Sequence, residues 1–119
     1  MGNFFNLDGK LSIVTGAASG MGKAVAYGLA EYGSDVVIVD RNEEGLLRTE
    51  QDLKKLGVEV LNIKTDLSSL EDIDNLFEKV DFLERNIDFL ANVAGDGILG
   101  KPEEISIEEL KDVLNNLVV

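Results

Sequence analysis

The chain contains no cysteine and no histidine. The first absence excludes a disulfide framework and a thiolate metal site; the second removes the commonest metal ligand and the usual neutral-pH general base. Tryptophan is missing, there is one proline, and the only tyrosines are Tyr27 and Tyr32. Positive charge is scarce: 11 Lys and Arg face 23 Asp and Glu, a net charge of −12. That balance argues against a nucleic-acid surface or an anionic membrane as partner and is read as solvated helix faces. No apolar run approaches the ~20 residues of a membrane helix. Residues Met1 to Asn6 lack the basic start and long apolar stretch of a signal peptide, so a cytoplasmic setting is expected. What remains is ordinary for a soluble globular chain: 119 residues, 45% apolar and 29% charged, enough for one domain with a real core. No internal repeat, low-complexity tract or linker interrupts it.

The most informative stretch is Thr15-Gly16-Ala17-Ala18-Ser19-Gly20-Met21-Gly22, directly after the apolar run Leu11 to Val14. Glycines at a strand-to-helix turn let backbone approach a bulky anion closely, and the following helix offers free N–H groups and the positive end of its dipole. Asp40 ends the next apolar run, Val36 to Val39, 18 residues beyond Gly22 (40 − 22). This is close to the ~20-residue offset of the acid that meets a ribose hydroxyl in dinucleotide-binding folds. A nucleoside-triphosphatase loop is excluded, because it needs Ser or Thr after Gly-Lys and Gly22-Lys23 is followed by Ala24. The plain alternative is a glycine-rich connection with no ligand; strand, helix and acid in register argue against it.

Strands and helices alternate along the chain. Asp8-Gly9 marks a turn before a strand over Lys10 to Val14. Met21, Val25, Leu29 and Tyr32 recur at helical spacing, with Gly33 as the stop. Val36 to Val39 reads as a strand buried on both faces. A helix covers Glu43 to Leu56 with Leu46, Leu53 and Leu56 inward, closed by Gly57. Val58 to Ile63 is the third strand and leads into Thr65-Asp66. Ser68 and Glu71 form a capping-box pattern ahead of a helix carrying Ile73, Leu76, Phe77, Val80 and Leu83, with Asn86 at its left-handed stop. Ile87 to Val93 is the fourth strand. Ser106 and Glu109 repeat the capping-box pattern before a helix whose Leu110, Val113, Leu114 and Leu117 share one face. Such alternation predicts an α/β fold of right-handed βαβ units. The expected form is a three-layer, Rossmann-like, doubly wound parallel sheet of order 3-2-1-4, truncated after the fourth strand.

With these residues in place, the chain resembles the N-terminal half of a short-chain dehydrogenase/reductase, from Leu7-Asp8-Gly9-Lys10 onward. Thr15 to Gly22 is similar to that family's TGxxxGxG turn. The resemblance implies that Gly16, Ser19, Gly20, Met21 and Gly22 hold the pyrophosphate and adenosine ribose, with Asp40 and Arg41 beside the ribose. It implies that Asp66 and Leu67 meet the adenine, and that Asn92, Ala94 and Gly95, from Asn92-Val93-Ala94-Gly95, line the cofactor at the end of strand four. Here Val93 replaces the second Asn of the family's NNAG. Asn116-Leu117 resembles the Asn-Leu pair whose Asn helps to place a catalytic lysine through water. Each match has a plainer reading: Asp66 as a turn residue, Asn92 satisfying strand-end groups, Asn116 as an exposed helix residue. No metal is implied.

A carboxylate at Asp40 accepts hydrogen bonds from a ribose diol and repels a 2′-phosphate, so NAD(H) is expected over NADP(H). Ser19, where NADP-preferring relatives often carry a basic residue, agrees; Arg41 pulls the other way. The family's acid/base is a Tyr-x-x-x-Lys pair with an upstream Ser, and neither Tyr27 nor Tyr32 is followed four residues on by Lys. Two classes therefore stay open. One is a short-chain oxidoreductase passing hydride between NAD(H) and an alcohol or carbonyl substrate, of which this single domain of residues 1–119, incomplete at its C-terminus, is the cofactor half. The other is a non-catalytic dinucleotide-binding module. On either, strand four is expected to be a bare edge that favours association, and a homo-oligomer stays open. Cofactor binding is expected to be weaker than in a whole enzyme, without turnover.

Overall fold

The computed structural model describes residues 6–93 and the short strand Glu104–Ile105. The β-branched run Val36 to Val39 is buried throughout and forms the middle of strand β2 (Asp35–Asp40). β1 (Leu11–Thr15) and β3 (Val60–Lys64) pair with it in parallel on either side, and β4 (Phe89–Asn92) pairs in parallel with β1. Helices α1 (Gly20–Glu31), α2 (Glu43–Lys54) and α3 (Leu70–Phe82) fill the crossovers. The order β3-β2-β1-β4 is the predicted 3-2-1-4. Beyond β4, strand β5 (Glu104–Ile105) pairs antiparallel, Leu90 with Ile105 and Ala91 with Glu104. The edge expected to be bare is therefore partly covered, by a strand too short to show a period.

Alternation along the strands divides the core into two layers. Leu11, Ile13, Val37, Val39, Ile63 and Leu90 pack with Leu76 and Val80 of α3. On the other face Val14, Val36 and Ile38 pack with Ala26 and Ala30 of α1 and with Leu46 and Leu53 of α2. Each fully buried Val, Leu or Ile contributes roughly 1.5–3 kcal/mol, more than any surface ion pair can. At the amino end of the sheet, Arg85 pairs with Asp35 at 2.8 Å, and Asp88 accepts the Leu11 N–H at 2.9 Å. The ends of the fold away from the glycine turn are thus tied by charge-assisted bonds.

Three local expectations change. The inward stripe of α1 is Gly22, Ala26 and Ala30, flanked by Val25 and Leu29, while Met21 and Tyr32 are half exposed. The helix lies so close to the sheet that small residues, not the bulky ones, fit beneath it. At α3 the cap is Ser69, whose hydroxyl accepts the Asp72 N–H at 3.2 Å. Ser68 is occupied instead, giving both its amide and its hydroxyl to Asp66. The left-handed residue after α3 is Glu84 (φ 53°) and not Asn86, because the chain reverses once Leu83 has reached the core. Gly33 and Gly57 have the expected positive φ. β1, β3 and β4 begin one or two residues later than the sequence pattern suggests. The Ser106/Glu109 capping box and the Leu110, Val113, Leu114, Leu117 face lie outside the described residues.

Candidate functional site

The strand register brings the sequence motifs to one end of the sheet. Thr15, at the carboxyl end of β1, lies between Val39 and Asn92. Asp40 lies beside Lys64, and the Thr65 N–H donates to the Asp40 carbonyl at 2.9 Å, carrying the ladder one step towards Asp66. The glycine turn, Asp40-Arg41, Asp66-Leu67 and Asn92 therefore gather at the carboxyl ends of the four parallel strands. α1, which follows β1, and α3, which precedes β4, pack on opposite faces of the sheet, and in open α/β sheets a ligand crevice forms at such a switch in strand order.

The turn's shape follows from its glycines. Gly16 (φ 69°) and Gly20 (φ 61°) take left-handed backbone conformations. A Cβ on Gly22 would overlap the Gly16 carbonyl, so the start of α1 lies directly against the start of the turn. Ser19 precedes α1 with extended backbone and gives it no side-chain cap, and no acid stands in its first turn. The other described helices are closed at this end: Asn42 caps α2 above Glu43 and Glu44, and Ser69 caps α3 above Glu71 and Asp72. Among the three, α1 alone has neither a side-chain cap nor an acid in its own first turn. Ser19, Gly20 and Met21 are exposed there, and a Cβ built on Gly20 would meet open space.

Asp40 is half buried beside this turn. One carboxylate oxygen accepts the Ala18 N–H at 3.0 Å and the other accepts the Asn42 N–H at 2.9 Å. Arg41 is exposed next to it. Asp66 accepts the Ser68 hydroxyl at 2.6 Å and the Ser68 amide at 2.9 Å, and its own N–H donates to Asp72 at 2.8 Å. Ser68 holds the Asp66 carboxyl below the ordinary carboxylate range, with a smaller pull from the Arg41 charge. Leu67 is half buried beside it. Asn92 accepts the Thr15 hydroxyl at 2.6 Å, stitching the carboxyl ends of β1 and β4 together. Ala94, Gly95 and Asn116 lie outside the described residues.

Sequence motifs missed two residues that touch the turn, both on α2. The buried Thr49 hydroxyl donates to the Ala17 carbonyl at 2.9 Å, and Gly45 faces Ala18. The available signal was a polar residue between Leu46 and Leu53 on an otherwise apolar face. Among the described residues no cluster of three or more metal-ligating side chains occurs, and no helix is long and apolar enough to cross a membrane.

These features match a known family. Residues 10–118 match the family model for short chain dehydrogenase, and the chain belongs to that family. An (S)-acetoin-forming diacetyl reductase of Staphylococcus epidermidis is 35% identical over 106 residues, which cover 89% of this chain and 41% of the reductase. Among solved structures, an NAD+-bound xylitol dehydrogenase is 34% identical with a TM-score of 0.67, covering 71% of this chain and 32% of that one. The Pseudomonas aeruginosa RhlG/NADP complex is 32% identical with a TM-score of 0.73, covering 84% and 40%. The chain thus spans about two-fifths of the length of the curated relative it matches, 41%. The family binds a nicotinamide dinucleotide, and these neighbours include both phosphorylation states of it.

Proposed function

We propose that these residues form the dinucleotide-binding part of an oxidoreductase that exchanges hydride between NAD(H) and an alcohol or carbonyl substrate. One observation carries the reading: the uncapped, acid-free start of α1, lined by Gly16, Gly20 and Gly22, opens beside the Asp40 carboxylate. A pyrophosphate suits the first, since exposed helix-start amides bind anions and glycine backbone permits close approach. A ribose diol suits the second. Ser19, Gly20, Met21 and Gly22 would hold the phosphates, Asp40 and Arg41 the adenosine ribose, and Asp66 and Leu67 the adenine. Asn92, with Ala94 and Gly95, would border the nicotinamide ribose, and Asn116 would help place the catalytic lysine. The bound nicotinamide supplies the hydride acceptor or donor. These 119 residues contain no Tyr followed four residues on by Lys, so on this reading the acid/base comes from outside them. That same observation supports a second reading, a dinucleotide-binding module with no turnover of its own.

NAD(H) is favoured over NADP(H) because the Asp40 charge is fixed in place by two backbone amides and repels a 2′-phosphate. A cytoplasmic setting, small-molecule substrates and a homo-oligomer belong to the same proposal, as does the absence of a nucleic-acid partner at a net charge of −12. The test is a fluorescence titration of the folded chain with NADH and with NADPH. NADH is expected to bind at least about tenfold more tightly, a difference of ~1.4 kcal/mol. Equal affinities would overturn the NAD preference. No binding of either, from a chain folded by circular dichroism, would overturn the site.

A further inference from the structure

Ala17 and Ala18, in the middle of the glycine turn, are held from outside it. The Ala17 N–H donates to the Val39 carbonyl at 3.2 Å. The peptide that joins Ala17 to Ala18 is gripped at both ends: its carbonyl accepts from Thr49 at 2.9 Å, and its N–H donates to Asp40 at 3.0 Å. A peptide unit is planar, so fixing its carbonyl fixes the direction of its N–H. Thr49 on α2 is thereby connected to the Asp40 carboxylate through one rigid group. Gly45, four residues earlier and so on the same helix face, backs the same spot. A Cβ there would come within 2.7 Å of the Ala18 Cβ.

Packing alone does not call for a threonine. Leu46 and Leu53, to either side, are fully buried, as is Thr49. Valine would fill the same volume without a hydroxyl, and a buried hydroxyl is unfavourable unless it is hydrogen-bonded. The hydroxyl adds direction to the Ala17-Ala18 peptide.

We propose that Thr49 is a positioning residue for dinucleotide binding, setting the glycine turn and the Asp40 carboxylate through the Ala17-Ala18 peptide. The inference rests on the reading of this turn as the dinucleotide site. Thr49→Val removes the hydroxyl at constant shape, and Thr49→Ser restores it. Ser34→Ala is the stability control: Ser34 is also buried and bonded, to Ser12 at 2.8 Å, but at the amino end of the sheet.

The measurement is NADH and NADPH affinity by fluorescence, well below each variant's melting temperature. Thr49→Val is expected to weaken NADH at least about fivefold and to narrow the gap to NADPH, with Thr49→Ser within about twofold of wild type. Ser34→Ala is expected to lower the melting temperature and leave both affinities in place. Gly45→Ala, which presses Ala18 from the same face, gives a second handle should Thr49→Val fold poorly, and is expected to weaken NADH at least about threefold. Wild-type affinity in folded Thr49→Val or Gly45→Ala overturns the inference alone, and so does an equal loss in Ser34→Ala. No binding by the wild-type chain overturns the reading of the site and this inference with it.

Discussion

The Asp40 carboxylate accepts the Ala18 N–H at 3.0 Å, tying the end of β2 to the turn that follows β1. One side chain thus both shapes the turn and presents charge next to it. Asp40→Ala is expected to cost about 1–3 kcal/mol in urea denaturation, because two amides lose their acceptor. It should also weaken NAD+ by at least about tenfold in titration calorimetry. Asp40→Asn keeps one acceptor oxygen and is expected to fall between wild type and Ala on both measures.

Gly22 and Gly28 sit on the same helix and should respond in opposite directions to alanine. At Gly22 the new Cβ meets the Gly16 carbonyl, rigid backbone that cannot give way. Gly22→Ala is expected to destabilise by about 1–3 kcal/mol or more. At Gly28 the Cβ meets nothing within 4 Å. Gly28→Ala is expected to stabilise by roughly 0.5–1 kcal/mol through helix propensity. Denaturant midpoints of the two variants decide the matter.

The start of α3 separates two adjacent serines. Ser69→Ala removes the cap on the Asp72 amide and should cost about 1 kcal/mol. Ser68→Ala leaves the helix capped and should stay within about 0.5 kcal/mol of wild type. It should, however, raise the Asp66 pKa, since Ser68 is what chiefly lowers it. Carbon-detected NMR titration of the Asp66 carboxyl would show the change.

Asp52 pairs with Lys23 at 3.0 Å, joining α2 to α1, and that hydrogen bond holds its carboxyl below the ordinary value of 3.8. A carboxyl lowered in the folded state adds stability above its unfolded pKa and loses it as pH falls through the folded one. Lys23→Met should therefore lower the melting temperature at neutral pH. The difference from wild type should close as pH falls below 3.8, the ordinary value. Melting curves across that range check the sign.

The sequence made the sheet legible because its strands announce themselves. Val36 to Val39 is an unbroken β-branched run that reads as a doubly buried strand, and the glycine turn and Asp40 fix their order around it. Small-residue contacts were not legible. Gly22, Ala26 and Ala30 carry little hydrophobic signal, so Met21 and Tyr32 outweigh them in any periodicity, although closeness to the sheet selects the small side chains. Ser68 and Ser69 both fit a cap, and only the bond from Ser68 to Asp66 decides between them. Thr49 serves a peptide 32 residues away in sequence, which no local pattern encodes. Motif residues were found because each stands at or just after the end of its own strand; their supports were missed because they lie on a neighbouring helix, α2.

The most direct test of the central claim is amide chemical-shift mapping of the isotope-labelled chain with NAD+. Saturable shifts are expected to concentrate at Gly16 to Gly22, Asp40-Arg41, Asp66-Leu67 and Asn92, with the amino ends of the strands around Arg85 and Asp88 unmoved. Shifts centred anywhere else, or none in a well-dispersed spectrum of the folded chain, would contradict it.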